Sequence, residues 1–376
     1  MPERDLVVVG GGPAGLAVAI HARLAGLSVT VLDRARPPID RACGEGLMPD
    51  AMERLAALGV APPAESAPFR GIRYVAGGLA AEGRFAGATG YGVRRTALHR
   101  ELAARAAALG AELHWHAEVT GLDAGGVTLA GETLPARFVV GADGRHSAVR
   151  RWAGLEGTPP RRGRHAVRRH YEVAPWTDLV EVHWGEQVEA YVTPVGPRCV
   201  GVAMLWNGGA SSFDALLARF PALAGRLGAA PRASRDRGAS LIGARPCAAA
   251  RGRVALVGDS AGGVDPITGE GIALAFRQAA RLVPALAAGN LDAYARSCPE
   301  LGWRPRRMGS LLLLLERSAA LRRRVVAALA ADPALFSRLL TVHTGTAPGA
   351  HTAFADFIRL GTRIVTTRPG RDGASR

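Results

Sequence analysis

Residues 5–34 read DLVVVGGGPAGLAVAIHARLAGLSVTVLDR, and the fold class turns on this stretch. A continuous apolar run from Leu6 to Val9 meets three glycines. Helical spacing follows through Leu16, Ile20 and Leu24, then a second apolar run through Val29, Val31 and Leu32. An unbroken apolar strand suits a parallel sheet covered on both faces, so strand, turn, helix, strand is predicted. Gly10, Gly12 and Gly15 keep GxGxxG spacing around Ala14, and Asp33, followed by Arg34, ends the second strand about 20 residues on. Each residue type has a task in holding a dinucleotide. Gly10 permits the tight turn, Gly12 lets backbone approach a pyrophosphate, and Gly15 lets helix and strand pack closely. The helix N-terminus offers free N–H groups to the anion, Asp33 can accept from a ribose diol, and Ala14 and Arg34 are counted with them as cofactor-binding residues. FAD and NAD both satisfy these constraints.

Two further glycine–aspartate sites follow apolar strands. ARFVVGADGRHSAVRR (136–151) carries Gly141, Asp143 and Gly144, while GRVALVGDSAGGVDPITGEGIALAFRQAARLV (252–283) carries Gly258 and Asp259 ahead of a long helix. Together the three sites resemble the flavoprotein hydroxylase superfamily. That resemblance implies an α/β fold: a glutathione-reductase-type, FAD-binding Rossmann fold with an inserted antiparallel β-sheet substrate layer and a C-terminal helical segment. It implies FAD as cofactor, with Asp143 and Gly144 by the pyrophosphate and Gly258 and Asp259 at the ribityl chain. GVRRTALHRELAARAAALGAEL (92–113) places Arg95 at the start of a helix carrying Leu98, Leu102 and Leu109. This resembles the family arginine that reaches the FAD phosphates.

DPITGEGI (265–272) opens a helix whose N-terminus, by the same resemblance, points at the flavin pyrimidine. Gly269, Gly271 and Ile272 join the cofactor set, with Pro266 and Gly269 near the ring; Glu270 reads as a first-turn residue without chemistry of its own. RACGEGLMPDAMERLAALG (41–59) matches the family segment lying along the flavin, so Arg41 and Gly44 are cofactor candidates. Gly44 is read as a position that only glycine fits, through close approach of the ring or through its backbone angles. Cys43 is read as a small residue packed at the ring's edge, since no base or second thiol lies nearby in sequence.

The expected layout is an FAD-binding domain over 1–160 and 246–300, a β-rich substrate domain over 161–245 and a helical region over 301–365. The β-rich assignment rests on LVEVHWGEQVEAYVTPVGPRCVGVAML (179–205), whose apolar runs are broken by glycine and proline. SLLLLLERSAALRRRVVAALA (310–330) is interrupted by Glu316, Arg317 and Arg322–Arg324. An amphipathic helix packed on its own domain is the preferred reading, with an interfacial membrane anchor left as the alternative. The end, TTRPGRDGASR, reads as a loose tail.

A formal charge of +15 suggests an acidic partner at first sight, but all 47 basic residues are arginine, as coding bias would produce. No nucleic-acid partner is expected, and RRGRHAVRRH (161–170) reads as a solvated face, with a basic entry to an anionic cofactor's site as the alternative. His165, His170 and His183 read as structural or surface residues. Four cysteines without a CxxC pair argue against a zinc cage or a disulfide framework, and fit a reducing cytoplasm. The chain opens with a charged pair and a strand, so no signal peptide is expected. No metal site is read from the histidines.

The chemistry narrows by elimination. Halogenases of this superfamily use a lysine and a WxWxIP motif, and neither is present. GDSAGG lacks the GxSxG order of a hydrolase elbow. The preferred expectation is a monooxygenase that hydroxylates or epoxidises a small hydrophobic, electron-rich aromatic or polyketide-like substrate through a flavin C4a-hydroperoxide. No second GxGxxG unit appears, so NADPH or NADH is a transient donor. The alternative is a geranylgeranyl-reductase-like enzyme saturating isoprenoid double bonds. RACGEGL favours that branch, and AYVTPVG (190–196), lacking the tryptophan and phenylalanine of its YxWxFP-like strand, opposes it. A non-catalytic flavin-binding protein is the third class.

Overall fold

In the computed structural model, residues 4–158, 163–344 and 350–366 are described. The stretch that opened the sequence forms strand β1 (Arg4–Val9), helix α1 (Pro13–Leu24) and strand β2 (Val29–Asp33). β1 lies at the centre of an open sheet, parallel to β2 on one side and to Glu132–Gly141 on the other. Glu112–Trp115 extends the sheet beyond β2, and Val254–Leu256 extends it beyond Glu132–Gly141, both in parallel. Every residue from Leu6 to Val9 is buried, as helices on one face and an antiparallel ribbon on the other require. Leu16 and Ile20 are fully buried, whereas Leu24 is 52% exposed because the end of α1 overhangs the core.

The second sheet has seven strands in the order Arg237–Ser240, Arg164–Tyr171, Cys199–Asn207, Val188–Gly196, Val180–Trp184, Gly71–Ala76 and Leu79–Arg84. Two of these come from outside the expected 161–245 segment. Residues 71–84 form a hairpin about Gly77 and Gly78, both at positive φ, and the hairpin joins Val180–Trp184 through a parallel pairing. The layer is therefore mixed rather than purely antiparallel. Its outer face packs on the helices of residues 213–227 and its inner face on the C-terminal helices.

The apolar stretch 310–330 is two helices, Trp303–Arg317 and Ala319–Ala330, divided at Ser318, whose Oγ accepts from Leu321 N. Among the described residues no single helix is long and apolar enough to cross a membrane. Residues 367–376, most of the expected tail, lie outside the described residues. The reading of 161–170 as a solvated face is overturned for its described part. Arg164, Arg168, Arg169 and His170 are all buried on or beside the 164–171 strand, each matched to carboxylates. Arginine suits this because its planar fork meets several acids at once.

Candidate active site

The three glycine–aspartate motifs converge at the N-terminus of α1. Gly10 sits at φ +111°, and a Cβ there would meet the Ala142 carbonyl and the Asp143 amide, so the first loop lies directly on the second. A Cβ on Gly15 would run into the Gly10 carbonyl. Gly258, at φ +62°, comes so near Ala14 that a Cβ would stand 2.8 Å from the Ala14 methyl, which brings the third motif onto α1. Around Gly12 only Arg95 Nη2 approaches, at 3.6 Å from a Cβ position, and no side chain caps the first turn of α1.

Arg95 opens the helix Arg95–Ala108 and is half-buried, with its Nε enclosed. Its Nε has no hydrogen-bond partner, and burial pushes the guanidinium below the usual arginine range. A half-buried cation beside uncapped amides is stabilised by an anion within reach, so these residues fit a pyrophosphate. Asp33 Oδ2 accepts from Gly11 N at 2.7 Å and Oδ1 from Ala35 N at 2.8 Å, which fixes the carboxylate at the end of β2 with lone pairs remaining. Arg34 stands apart, 71% exposed and 3.8 Å from Glu118.

Asp143 has a structural task. Its Oδ2 accepts from Ala148 N and Val149 N at the start of the short helix Ala148–Trp152, and its Oδ1 accepts from Ser260 Oγ at 3.1 Å. Ser260 Oγ also receives Gly144 N at 3.0 Å, tying the second motif to the third. Asp259, by contrast, is 44% exposed on its side chain and pairs with Arg145 at 3.2 Å. Ser260, Arg145 and Gln278, which accepts from Gly258 N at 2.7 Å, are functional neighbours that motif reading missed. For Ser260, the serine inside GDSAGG was the available signal.

The turn before helix Gly271–Ala287 holds Pro266–Thr268 as one 3-10 turn, with Gly269 at φ +69°. Gly269 and Gly271 have open space where a Cβ would project, and Ile272 packs on the main core. Glu270 is buried, and burial raises its carboxyl against the opposing pull of His343 and Arg277.

The 41–59 segment differs from expectation at one point. Gly44 is not in the left-handed region, and space around it is open; the left-handed residue is Glu45, at φ +60°. Close approach of a ligand is the surviving reason for glycine at 44. Glu45 is held in its conformation by its own carboxylate, which accepts from Arg95 N at 2.8 Å and lies 2.5 Å from His170 Nε2. Thr193 Oγ1 donates to the Gly44 carbonyl at 2.8 Å and so joins the second sheet to this loop. Burial pushes the Cys43 thiol up, which keeps it protonated and poorly nucleophilic. Arg41 is exposed, its carbonyl beside Arg168.

This arrangement, an uncapped glycine loop with a half-buried arginine, an acid at the end of β2 and a second sheet over the loop, is that of an FAD-dependent oxidoreductase. The family model described as FAD binding domain matches residues 3–210, and the chain belongs to that family. Rifampicin monooxygenase of Streptomyces venezuelae is 37% identical over 177 residues, 42% of this chain and 36% of the relative, so the chain spans about a third of that protein. Digeranylgeranylglycerophospholipid reductase 1 of Methanothermobacter thermautotrophicus is 28% identical over 72% of this chain and 73% of its own. Among solved structures, a flavoprotein/dehydrogenase from Cytophaga hutchinsonii superposes with a TM-score of 0.78 at 18% identity, covering 97% and 98% of the two chains. That last likeness speaks for the fold.

Proposed function

We propose that the chain is an NAD(P)H-dependent FAD monooxygenase acting on a small hydrophobic, electron-rich substrate, aromatic or polyketide-like. The observation that carries this reading is the 2.8 Å hydrogen bond from Thr193 to Gly44. Thr193 and Val195 stand where the isoprenoid-reducing branch carries tryptophan and phenylalanine. A short hydroxyl side chain draws the sheet against the cofactor loop in place of the aromatic side chains of that branch. Similarity to a rifampicin monooxygenase supports the same choice.

Gly10, Gly12 and Arg95 would hold the FAD pyrophosphate, Asp33 the adenosine ribose and Asp259 the ribityl chain. When bound, FAD supplies the redox chemistry, accepting a hydride from NAD(P)H and passing electrons to oxygen. The N-terminus of Gly271–Ala287 would stabilise negative charge on the pyrimidine side of a bound flavin. Val180, Val182 and Ile267 line the inner face with apolar surface and keep water out. The Cys43 thiol, kept neutral by burial, would pack at the ring without entering the reaction. Four unpaired cysteines support a reducing, cytoplasmic setting.

One observation favours the double-bond reductase reading: the archaeal reductase matches along most of both chains. The two chemistries separate in one experiment. With NADPH or NADH, an electron-rich aromatic compound and labelled molecular oxygen, the expected product is heavier by one labelled oxygen atom. Product that forms without oxygen and gains two hydrogens would establish the reductase instead.

A further inference from the structure

The strand Val188–Gly196 sorts its side chains by parity. Val188, Ala190 and Val192 enter the outer apolar cluster, while Glu189, Tyr191 and Thr193 share the inner face. At one end of that face Thr193 bonds the Gly44 carbonyl. At the other, Glu189 Oε1 lies 3.1 Å from Arg164 Nη2, and Arg164 Nη1 donates to Asp265 at 2.9 Å, the residue that opens the turn leading to Gly269. The strand thus crosses between the two segments assigned to the flavin ring. Tyr191 stands midway, about 7 Å along the strand from either neighbour on its face. It keeps partial exposure while Glu189 has none, and its hydroxyl is 2.7 Å from Glu189 Oε2.

The charges around Glu189 do not balance. Arg164 faces three carboxylates, those of Glu189, Asp265 and Glu316, and the other nearby cation, Arg322, hydrogen-bonds the Leu315 carbonyl at 3.0 Å. Tyr74, from the Gly71–Ala76 strand, adds a second phenol to this group. Asp265 is a quarter exposed and Glu316 slightly so, whereas Glu189 has no exposure, so of the three carboxylates Glu189 loses most by ionising. Asp265 also accepts from Ile267 N, and Glu316 from the Asn207 amide. Glu189 Oε1 has no hydrogen bond, so Glu189 is the group to take the proton. Burial pushes its carboxyl up to about 7.

We propose that Glu189 and Tyr191 are the proton source of this oxidoreductase, Glu189 storing the proton and Tyr191 presenting it to the space between sheet and cofactor loop. The inference rests on the flavin reading above. With the proton on Oε2, Glu189 donates to the Tyr191 oxygen and leaves the phenol O–H free. That hydrogen passes, as a proton, to the atom that gains an electron pair in the reaction. The Glu189 proton moves to the phenolate oxygen, and the carboxylate left behind faces Arg164. Solvent returns one proton before the next cycle. Tyr191 is the donor and Glu189 acts through it.

The test uses the FAD-loaded protein and its Glu189→Gln and Tyr191→Phe variants. Infrared titration of the wild type should show a protonated-carboxyl band lost with a midpoint near pH 7, absent in Glu189→Gln and retained in Tyr191→Phe. After photoreduction, recovery of the yellow colour in air consumes a proton. It should slow about 10-fold or more in both variants, and Glu189→Gln should lose the pH dependence centred near 7. No titrating band in the wild type, the same band in Glu189→Gln, or air recovery within twofold in Tyr191→Phe would overturn the proposal. A chain that takes up no FAD would instead defeat the flavin reading, and the infrared titration would still decide where the stored proton resides.

Discussion

Around the glycine loops the protein handles polarity with backbone. Asp33 and Asp143 each receive two amide N–H groups from residues close in the chain or in the adjoining loop. The second sheet handles it with whole ions. Arg164, Arg168 and Arg169 are buried and meet carboxylates that lie between 25 and 152 residues away or are carried on other elements. The first arrangement leaves amides and Arg95 Nε open to an anion from outside. In the second, each cation already meets carboxylates that the chain itself supplies. Local turn chemistry builds the first, and tertiary pairing builds the second.

The largest effect that would break this contrast is at Gly12. Because only Arg95 approaches its Cβ position and its φ is −72°, Gly12→Val should fold, with stability within about 1 kcal/mol of wild type. It should nonetheless purify colourless, read by flavin absorbance against circular dichroism. An unfolded Gly12→Val would mean that the loop is packed by protein and not shaped for a ligand.

Arg164→Met comes next. It removes the cation between Glu189, Asp265 and Glu316, and should cost about 3–5 kcal/mol in urea unfolding, since an unpaired buried charge is left behind. A loss under 1 kcal/mol would show that the acids simply take up protons.

Glu189 gives the third test, through pH. Below about pH 4.5 the carboxyl is protonated in both folded and unfolded chains. Above that the unfolded chain ionises first, so folded stability falls as pH rises, until the folded group ionises near 7. Relative to Glu189→Gln, the wild type should lose on the order of 3 kcal/mol between pH 4 and 8. A constant difference would place an ordinary carboxylate there. The smallest effect belongs to Cys43→Ala, which should keep FAD bound and retain most turnover. If turnover vanished while flavin content stayed normal, the thiol would belong to the reaction.

The cofactor half was legible because its tasks are local. A tight turn, a close helix contact and an acid at a strand end each demand one residue type at a fixed offset, as Gly10, Gly15 and Asp33 show. The hairpin at residues 71–84 went unread: Gly77–Gly78 marks its turn, but nothing local in the sequence tells that it joins a strand about 100 residues on. Nothing in RRGRHAVRRH announces burial either, because an arginine is buried only where its acids arrive, and Asp40, Asp214, Asp265 and Glu316 arrive from elsewhere. Glu45 hid for another reason: CGEG looks like a flexible loop, and it is the His170 and Arg95 partners that fix the glutamate in a conformation glycine would ordinarily hold.

The parallel pairing of Ile72 with Val180 also constrains how the protein is made. On a ribosome adding about 5–20 residues per second, the 71–84 hairpin emerges on the order of 5–20 seconds before the strand that completes its inner edge. Throughout that interval it presents an open row of backbone donors and acceptors, the kind of surface on which nascent chains aggregate or recruit chaperones. Arg73 and Glu82, paired across the hairpin at 3.7 Å, place charge on that newborn ribbon while it waits.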